Sequence, residues 1–126
     1  MPTGQLKVLV VSAKDLPNKD EKGDPYVNVY IESGYVQKTQ TIPGDLSPVW
    51  NESFTFQVED GKHKLHLDVY DSDEGKKDDS LGITTIDLKD VFEKGKDEKT
   101  VDLSSSSLFF PKAQGKITVQ LEFTKK

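Results

Sequence analysis

Apolar and polar residues alternate along most of this chain, and residues that favour turns interrupt the alternation at short intervals. A period of two places successive side chains on opposite faces of a strand, so each alternating segment is predicted to be a half-buried β-strand. The eight predicted strands are Gln5–Ser12, Tyr26–Ile31, Val36–Ile42, Ser53–Val58, Leu65–Tyr70, Leu81–Asp87, Lys99–Leu103 and Lys116–Phe123. One short helix, Leu88–Lys94, is predicted between the sixth and seventh strands.

Eight strands with short connections predict an all-β fold, an eight-stranded antiparallel β-sandwich of two sheets. Connections between antiparallel neighbours alternate between the two ends of a sandwich. The loops after the first, third, fifth and seventh strands therefore share one end, and their residues are expected to act together. These loops are predicted to be Ala13–Pro25, Pro43–Glu52, Asp71–Ser80 and Ser104–Gly115.

The composition narrows the class of protein. The 126 residues have a hydrophobic content of 33% and contain no cysteine. This length and apolar content suit one domain, residues 1–126, with one modest core. The absence of cysteine excludes disulfides, thiolate metal sites and a cysteine nucleophile. No apolar run approaches membrane-spanning length and no secretory signal is recognisable, so a cytoplasmic location is expected.

The net charge of −5 disfavours nucleic acid as a partner, because nucleic-acid binders need a basic surface. The same charge opposes binding to an anionic membrane. Such binding needs a local basic patch, or a metal ion that reverses the local charge.

Two of the loops that share an end carry closely spaced aspartates: Asp20 and Asp24 in the first, and Asp71, Asp73 and Asp79 in the third. Close carboxylates repel by about 1–3 kcal/mol per pair, so such a cluster favours a bound cation. Calcium accepts about six to eight oxygen ligands in flexible geometry, whereas magnesium needs a tighter octahedron and zinc prefers nitrogen or sulfur. The pattern is not that of an EF-hand. Either loop alone is also compatible with an ordinary solvated turn, but together they predict a calcium site.

Four segments together resemble the C2 domain family. They are Leu16-Pro17, Asp24-Pro25-Tyr26-Val27, the run from Ser47 to Phe56 that reads SPVWNESFTF, and the run from Asp71 through Asp73 and Asp79 to Gly82. The resemblance covers essentially the whole chain, and its compact form is similar to the small plant and fungal C2 proteins related to elicitor-responsive proteins. It implies the phospholipase-like, type II order of strands. It also implies that calcium is bound by Asp20, Asp24, Asp71, Asp73 and Asp79.

The first loop departs from the family pattern, because Asp20 and Asp24 are four residues apart where about six is usual. Asp20 still reaches the ion, or Glu21 or Asn18 replaces it, or one ion is lost. In the third loop, Asp78 is an alternative to Asp79.

The resemblance implies calcium-dependent binding to anionic phospholipid such as phosphatidylserine, as a recruitment or signalling module without catalysis. Two calcium ions would add about +4 to about −5 of aspartate charge, leaving Lys22, Lys76 and Lys77 facing the lipid. Phe109 and Phe110, in the loop after the seventh strand, either insert into the membrane or cover the sandwich edge.

The main alternative is a calcium-independent C2 domain that binds a protein partner. Trp50 is expected to lie in the core or at the edge rather than to anchor lipid. Some family members bind phosphoinositide on a lysine-rich strand, but here the matching strand carries only Lys38, so a strong phosphoinositide site is not expected.

Overall fold

The computed structural model describes residues 3–17, 24–32, 34–72, 78–105 and 113–126. This part of the chain forms eight strands and one helix. In chain order they are β1 (Gly4–Lys14), β2 (Pro25–Tyr30), β3 (Val36–Lys38), β4 (Val49–Val58), β5 (Lys64–Asp71), β6 (Asp79–Asp87), α1 (Lys89–Lys94), β7 (Lys96–Ser104) and β8 (Ala113–Lys125). Every strand pairing is antiparallel, which confirms the predicted fold class.

The strands follow the order β3-β2-β5-β6-β7-β8-β1-β4. The pairing between β6 and β7 consists of a single residue pair, Ile83 with Ser104. The sheet is therefore two four-stranded layers joined at one corner. The C-terminal strand β8 lies beside β1, and β1 leads directly into the first acidic loop. This is the type II order that the sequence predicts.

The core lies between the two layers and follows the alternation in the sequence. In β1, Leu6, Val8 and Val10 are fully buried while the residues between them face outward. The inward positions of β5 are likewise fully buried. Helix α1 ends at Gly95, whose left-handed backbone (φ +81°) lets its N–H donate to the Val91 carbonyl at 2.8 Å.

The two largest boundary errors, of four residues each, both bear on the second loop of the shared end. Strand β3 ends at Lys38 rather than Ile42, because the Thr39 hydroxyl accepts the Val27 N–H at 2.9 Å in place of a backbone carbonyl. Strand β4 begins at Val49 rather than Ser53, continuing through Asn51 at φ +50°. The loop predicted to run to Glu52 therefore ends before Val49. Strands β7 and β8 also begin earlier than predicted, at Lys96 rather than Lys99 and at Ala113 rather than Lys116.

Candidate metal centre

The loops that follow β1, β3 and β5 meet at one end of the sandwich, as their parity predicts. The first loop is joined to the second by the backbone bond from Leu16 N–H to the Leu46 carbonyl (3.1 Å). The end of β1 is joined to the second loop by the bond from Ala13 N–H to the Pro48 carbonyl (3.0 Å). The Ile42 N–H donates to the Pro25 carbonyl at 3.0 Å, which ties the second loop to the start of β2. Residues carried by these loops are thus held beside one another.

Asp71 is the most deeply placed of the candidate ligands that the structure describes, with 2% of its surface exposed. Its position follows from strand periodicity, because it continues the inward-facing row of Leu65, Leu67 and Val69 to the end of β5. An acidic side chain is costly at a buried position unless it is hydrogen-bonded or bound to a cation. This location points to a specific role for the carboxylate.

Asp24 and Asp71 join the first loop to the third. The Asp24 N–H donates to Asp71 Oδ1 at 2.9 Å, and the Ser72 N–H donates to the Asp24 carbonyl at 3.0 Å. The two bonds run in opposite directions between the same two chain segments. They hold two of the predicted ligands next to each other.

The second loop also takes part, through a residue that the sequence did not single out. The Gly44 N–H donates to Asp24 Oδ1 at 2.9 Å. Gly44 has φ +68°, a left-handed conformation that glycine adopts without strain. The Pro43-Gly44 dipeptide signals a turn in the sequence, but nothing in it indicates that the turn fixes the Asp24 carboxylate.

Asp78 and Asp79, which are adjacent in sequence at the start of β6, have different partners in the structure. Asp79 is the ladder partner of Asp71, and directly opposed residues present their side chains on the same face of a sheet. Asp78 instead accepts a hydrogen bond from the Tyr26 hydroxyl. Burial, reinforced by that bond, raises the pKa of Tyr26 well above its usual range, so the hydroxyl remains a donor to Asp78 at neutral pH.

The remaining predicted site residues lie outside the described residues. They are Asp20, Asp73, Lys22, Lys76, Lys77, Phe109 and Phe110, together with the alternatives Asn18 and Glu21. Within the residues that the structure describes, no three acidic or histidine side chains are close enough to hold a metal ion. The described residues do provide suitable donor atoms. These are carboxylate oxygens on irregular loops, and backbone N–H groups hold two of them in place. This set fits a hard cation such as calcium.

Trp50 and Lys38, the two residues considered for direct lipid contact, are both engaged within the protein. Trp50 lies in the core with 6% of its surface exposed, which confirms the prediction that it packs rather than anchors. Lys38 Nζ lies 4.2 Å from the centre of the Tyr26 ring, a cation–π contact.

Comparison with known proteins identifies the family. A family model described as the C2 domain matches residues 4–103. The chain belongs to the C2 family. The Arabidopsis thaliana 16 kDa phloem protein 2 is 40% identical to this C2 chain over 98 residues, which are 75% of the chain and 66% of the relative. Elicitor-responsive protein 1 of Oryza sativa subsp. japonica is 35% identical over 135 residues, covering 97% of the chain and 85% of the relative.

A third relative carries a functional name. It is the Arabidopsis thaliana "Calcium-dependent lipid-binding protein", which is 33% identical over 129 residues. This C2 chain covers 25% of that protein's length. The chain therefore spans less than the full length of several relatives that it matches.

Solved structures give the same fold. A C2 domain-containing protein from a putative elicitor-responsive gene superimposes with a TM-score of 0.83 at 33% identity, covering 99% of this chain and 91% of that one. A C2 domain of plant Extended Synaptotagmin 1 gives 0.85 at 28% identity, covering 100% and 98%. The calcium-bound pair of C2 domains from Extended-Synaptotagmin 2 gives 0.82 at 28% identity, covering 99% and 47%. No helix among the described residues is long and apolar enough to cross a membrane.

Proposed function

We propose that this C2 domain binds calcium at the end of the sandwich and thereby docks on anionic phospholipid. The proposed ligands are Asp20, Asp24, Asp71, Asp73 and Asp79. The observation that carries the proposal is the hydrogen bond from the Asp24 N–H to the buried Asp71 carboxylate. It joins the two acidic loops at the residues that the family resemblance assigns to the metal.

The backbone bonds help the clustered carboxylates to lie close together. Like charges at close range tend to push irregular loops apart. Here the Asp24 N–H and the Gly44 N–H each hold one carboxylate oxygen, so the repulsion is opposed by fixed dipoles. Bound calcium supplies positive charge and open coordination positions for oxygen atoms of a lipid head group.

Asp79 is preferred to Asp78 as the ligand that begins β6. Support comes from the ladder, which sets Asp79 opposite Asp71, while the Tyr26 hydroxyl engages Asp78. Asp73 follows Asp71 by two residues in the same loop and completes the set proposed for the third loop.

The membrane contact is proposed to be mainly electrostatic and to involve phosphatidylserine-like lipid. Lys22, Lys76 and Lys77 face the head groups once calcium has neutralised the aspartates, with Phe109 and Phe110 as the apolar part of the contact. With this switch, the protein is cytoplasmic at low calcium and associates peripherally with the membrane when calcium rises. Further support comes from the similarity to the Arabidopsis thaliana calcium-dependent lipid-binding protein.

Sedimentation with phosphatidylserine vesicles tests the proposal. The wild-type chain should sediment with vesicles in calcium and stay in the supernatant with a chelator. The double variant D71N/D73N should stay in the supernatant under both conditions, because two metal ligands are lost. The matched control E32Q/E59Q removes the same two charges from exposed positions in the loops after β2 and β4, at the opposite end, and should behave as wild type.

Sedimentation of D71N/D73N to the wild-type extent would rule out the proposed site. Sedimentation of the wild type that is equal with and without calcium would favour the alternative, a C2 domain that acts independently of calcium.

A further inference from the structure

The outer face of strands β2 and β5 is unusually rich in rings. Tyr26 and Tyr70 stack with their ring centres 5.9 Å apart, and Tyr30 and His66 stack at 4.9 Å. These side chains occupy alternate positions of the two strands, on the face opposite the core-facing residues Val27, Val29, Leu67 and Val69. Tyr26 is itself buried there, with 6% of its surface exposed, whereas Tyr30, His66 and Tyr70 are half-buried. We call this surface the tyrosine face; its residues are Tyr26, Asn28, Tyr30, His66, Asp68 and Tyr70.

Asp68 lies in the middle of the tyrosine face. It follows His66 and precedes Tyr70 on alternate positions of β5, and its ladder partners are Asn28 on one side and Ile83 on the other. The Tyr30 hydroxyl donates to Asp68 Oδ2 at 2.9 Å. The carboxylate is half-buried, with rings on both sides along the strand.

No cation within the described residues forms an ion pair with Asp68. Lys38 of β3 and Lys64 of β5 itself are both engaged elsewhere. Lys38 is two strands away, about 10 Å, and lies over the Tyr26 ring. Lys64 is the ladder partner of Asp87, and its charge contributes to lowering the pKa of that carboxyl, after the larger effect of the Lys89 backbone N–H. Asp68 therefore holds a half-buried negative charge with one neutral donor.

The surroundings of Asp68 suit a flat cation. Burial, together with the hydrogen bond to Asp68, raises the pKa of Tyr30 to about 12, so at neutral pH Tyr30 is an uncharged donor with an electron-rich ring. A guanidinium group stacks on aromatic rings and pairs with a carboxylate through its N–H groups. Ile83 is 36% exposed beside Asp68 and offers apolar surface to an aliphatic stem. Lys38 on Tyr26 is an example, within this chain, of a ring on this face accepting a cation.

We propose that the tyrosine face is a docking site for an arginine side chain presented by a protein partner, with Asp68 as its counter-ion and Tyr30 and Tyr70 as stacking surfaces. The same carboxylate repels lipid phosphate, so a protein segment rather than an anionic membrane is the occupant. The proposed contacts of the arginine, with Asp68, Tyr30 and Tyr70, use none of the proposed calcium ligands, so the interaction does not require calcium.

Nuclear magnetic resonance titration with a capped peptide of alternating arginine and glycine tests this site. Saturating calcium is present, so that the acidic loops do not attract the peptide. The ring protons of Tyr30 and Tyr70 should shift on titration. D68N should weaken binding about tenfold, since a hydrogen bond to a charged group contributes about 1.5 kcal/mol or more. Asparagine retains an oxygen for the Tyr30 hydroxyl, so the fold is expected to persist.

The matched control is D102N, which removes the same charge from an exposed position of β7 in the other layer. It should leave peptide affinity unchanged. Equal weakening by D68N and D102N would show that only net charge matters, and ring shifts absent from Tyr30 and Tyr70 would show that the peptide binds elsewhere. Either result overturns the proposal. The proposal is also overturned if tetramethylammonium shifts the ring protons of Tyr30 and Tyr70 and the peptide does not. That result would indicate that the face binds a choline head group instead.

Discussion

At the residue scale, the Asp24 carboxylate is fixed by a turn that belongs to another loop. Its Oδ1 accepts the Gly44 N–H, and the left-handed backbone of Gly44 sets the direction of that N–H. Residue type and spacing predicted a calcium site in these loops, and the family resemblance assigned Asp24 and Asp71 to it as ligands. The sequence did not predict the part played by Gly44, because a backbone N–H donor has no residue signature.

Gly44→Ala should weaken calcium binding about fivefold, because a Cβ in this conformation costs about 1–2 kcal/mol and relaxation of the turn withdraws the N–H from Asp24. Isothermal titration with calcium measures the effect. Gly61→Ala is a matched control: Gly61 also has a positive φ (+88°), open space at its Cβ position, and lies in the turn between β4 and β5 at the opposite end. Equal calcium affinities for the two variants would contradict a positioning role for Gly44.

The raised pKa of the Tyr30 hydroxyl predicts that the stability of the protein depends on pH. Burial, with the hydrogen bond to Asp68, raises the pKa of Tyr30 to about 12 in the folded protein, against about 10 in the unfolded chain. The folded state therefore keeps this proton where the unfolded state loses it. The resulting stabilisation is complete below about pH 10 and is lost as the pH rises from about 10 to about 12.

Urea unfolding between about pH 9 and about pH 11.5 should thus show a free energy of unfolding that declines less steeply in Tyr30→Phe than in the wild type. Phenylalanine retains the ring that stacks on His66 and removes the titrating group. Identical slopes for the two proteins would show that Tyr30 does not contribute.

At the element scale, periodicity located all eight strands and the helix, since buried and exposed positions alternate as the sequence does. The two largest boundary errors arose where a single residue departs from regular backbone behaviour. The Thr39 hydroxyl replaces a carbonyl as acceptor and ends β3 early, and Asn51 adopts a positive φ inside β4. Neither event changes the alternation of apolar residues, so the pattern alone could not indicate them.

The contact between β8 and the end of β1 should be intolerant of any side chain at Gly115. This residue has φ +89°, and a Cβ there would lie 2.5 Å from the Lys14 carbonyl oxygen and 2.7 Å from that of Asp15. Gly115→Ala should reduce the free energy of unfolding by about 2–4 kcal/mol, from the combined effects of strain and overlap. Gly61→Ala, with strain but no overlap, should cost about 1–2 kcal/mol. Equal losses in urea unfolding would contradict the close approach.

At the scale of the whole molecule, strand parity correctly predicted that the loops after β1, β3 and β5 share an end, because parity follows from antiparallel connectivity alone. The fourth loop of that prediction, Ser104–Gly115, lies mostly outside the described residues. The resemblance to the C2 family supplied what parity does not, namely the order of strands and the choice of ligands. The hydrogen bonds that join the loops depend on backbone geometry across residues distant in sequence, such as Asp24 and Asp71. They became visible only in the structure.

The account as a whole predicts that a protein of net charge −5 binds anionic membrane only through calcium, and mainly by electrostatics. Salt should then weaken vesicle binding in calcium, because the Debye length falls from about 10 Å at 0.1 M to about 3 Å at 1 M. Sedimentation with phosphatidylserine vesicles over this range of salt measures the effect. Undiminished binding at high salt would indicate that insertion of apolar residues dominates instead.

Calorimetric titration of metal-free protein with calcium, with and without phosphatidylserine vesicles, tests whether this domain binds calcium and lipid in a coupled way. The account predicts saturable calcium binding that tightens when vesicles are present, because lipid oxygens complete the coordination of the ion and the coupling must be reciprocal. Absence of heat on adding calcium, or an affinity that vesicles leave unchanged, would contradict a calcium-switched membrane domain.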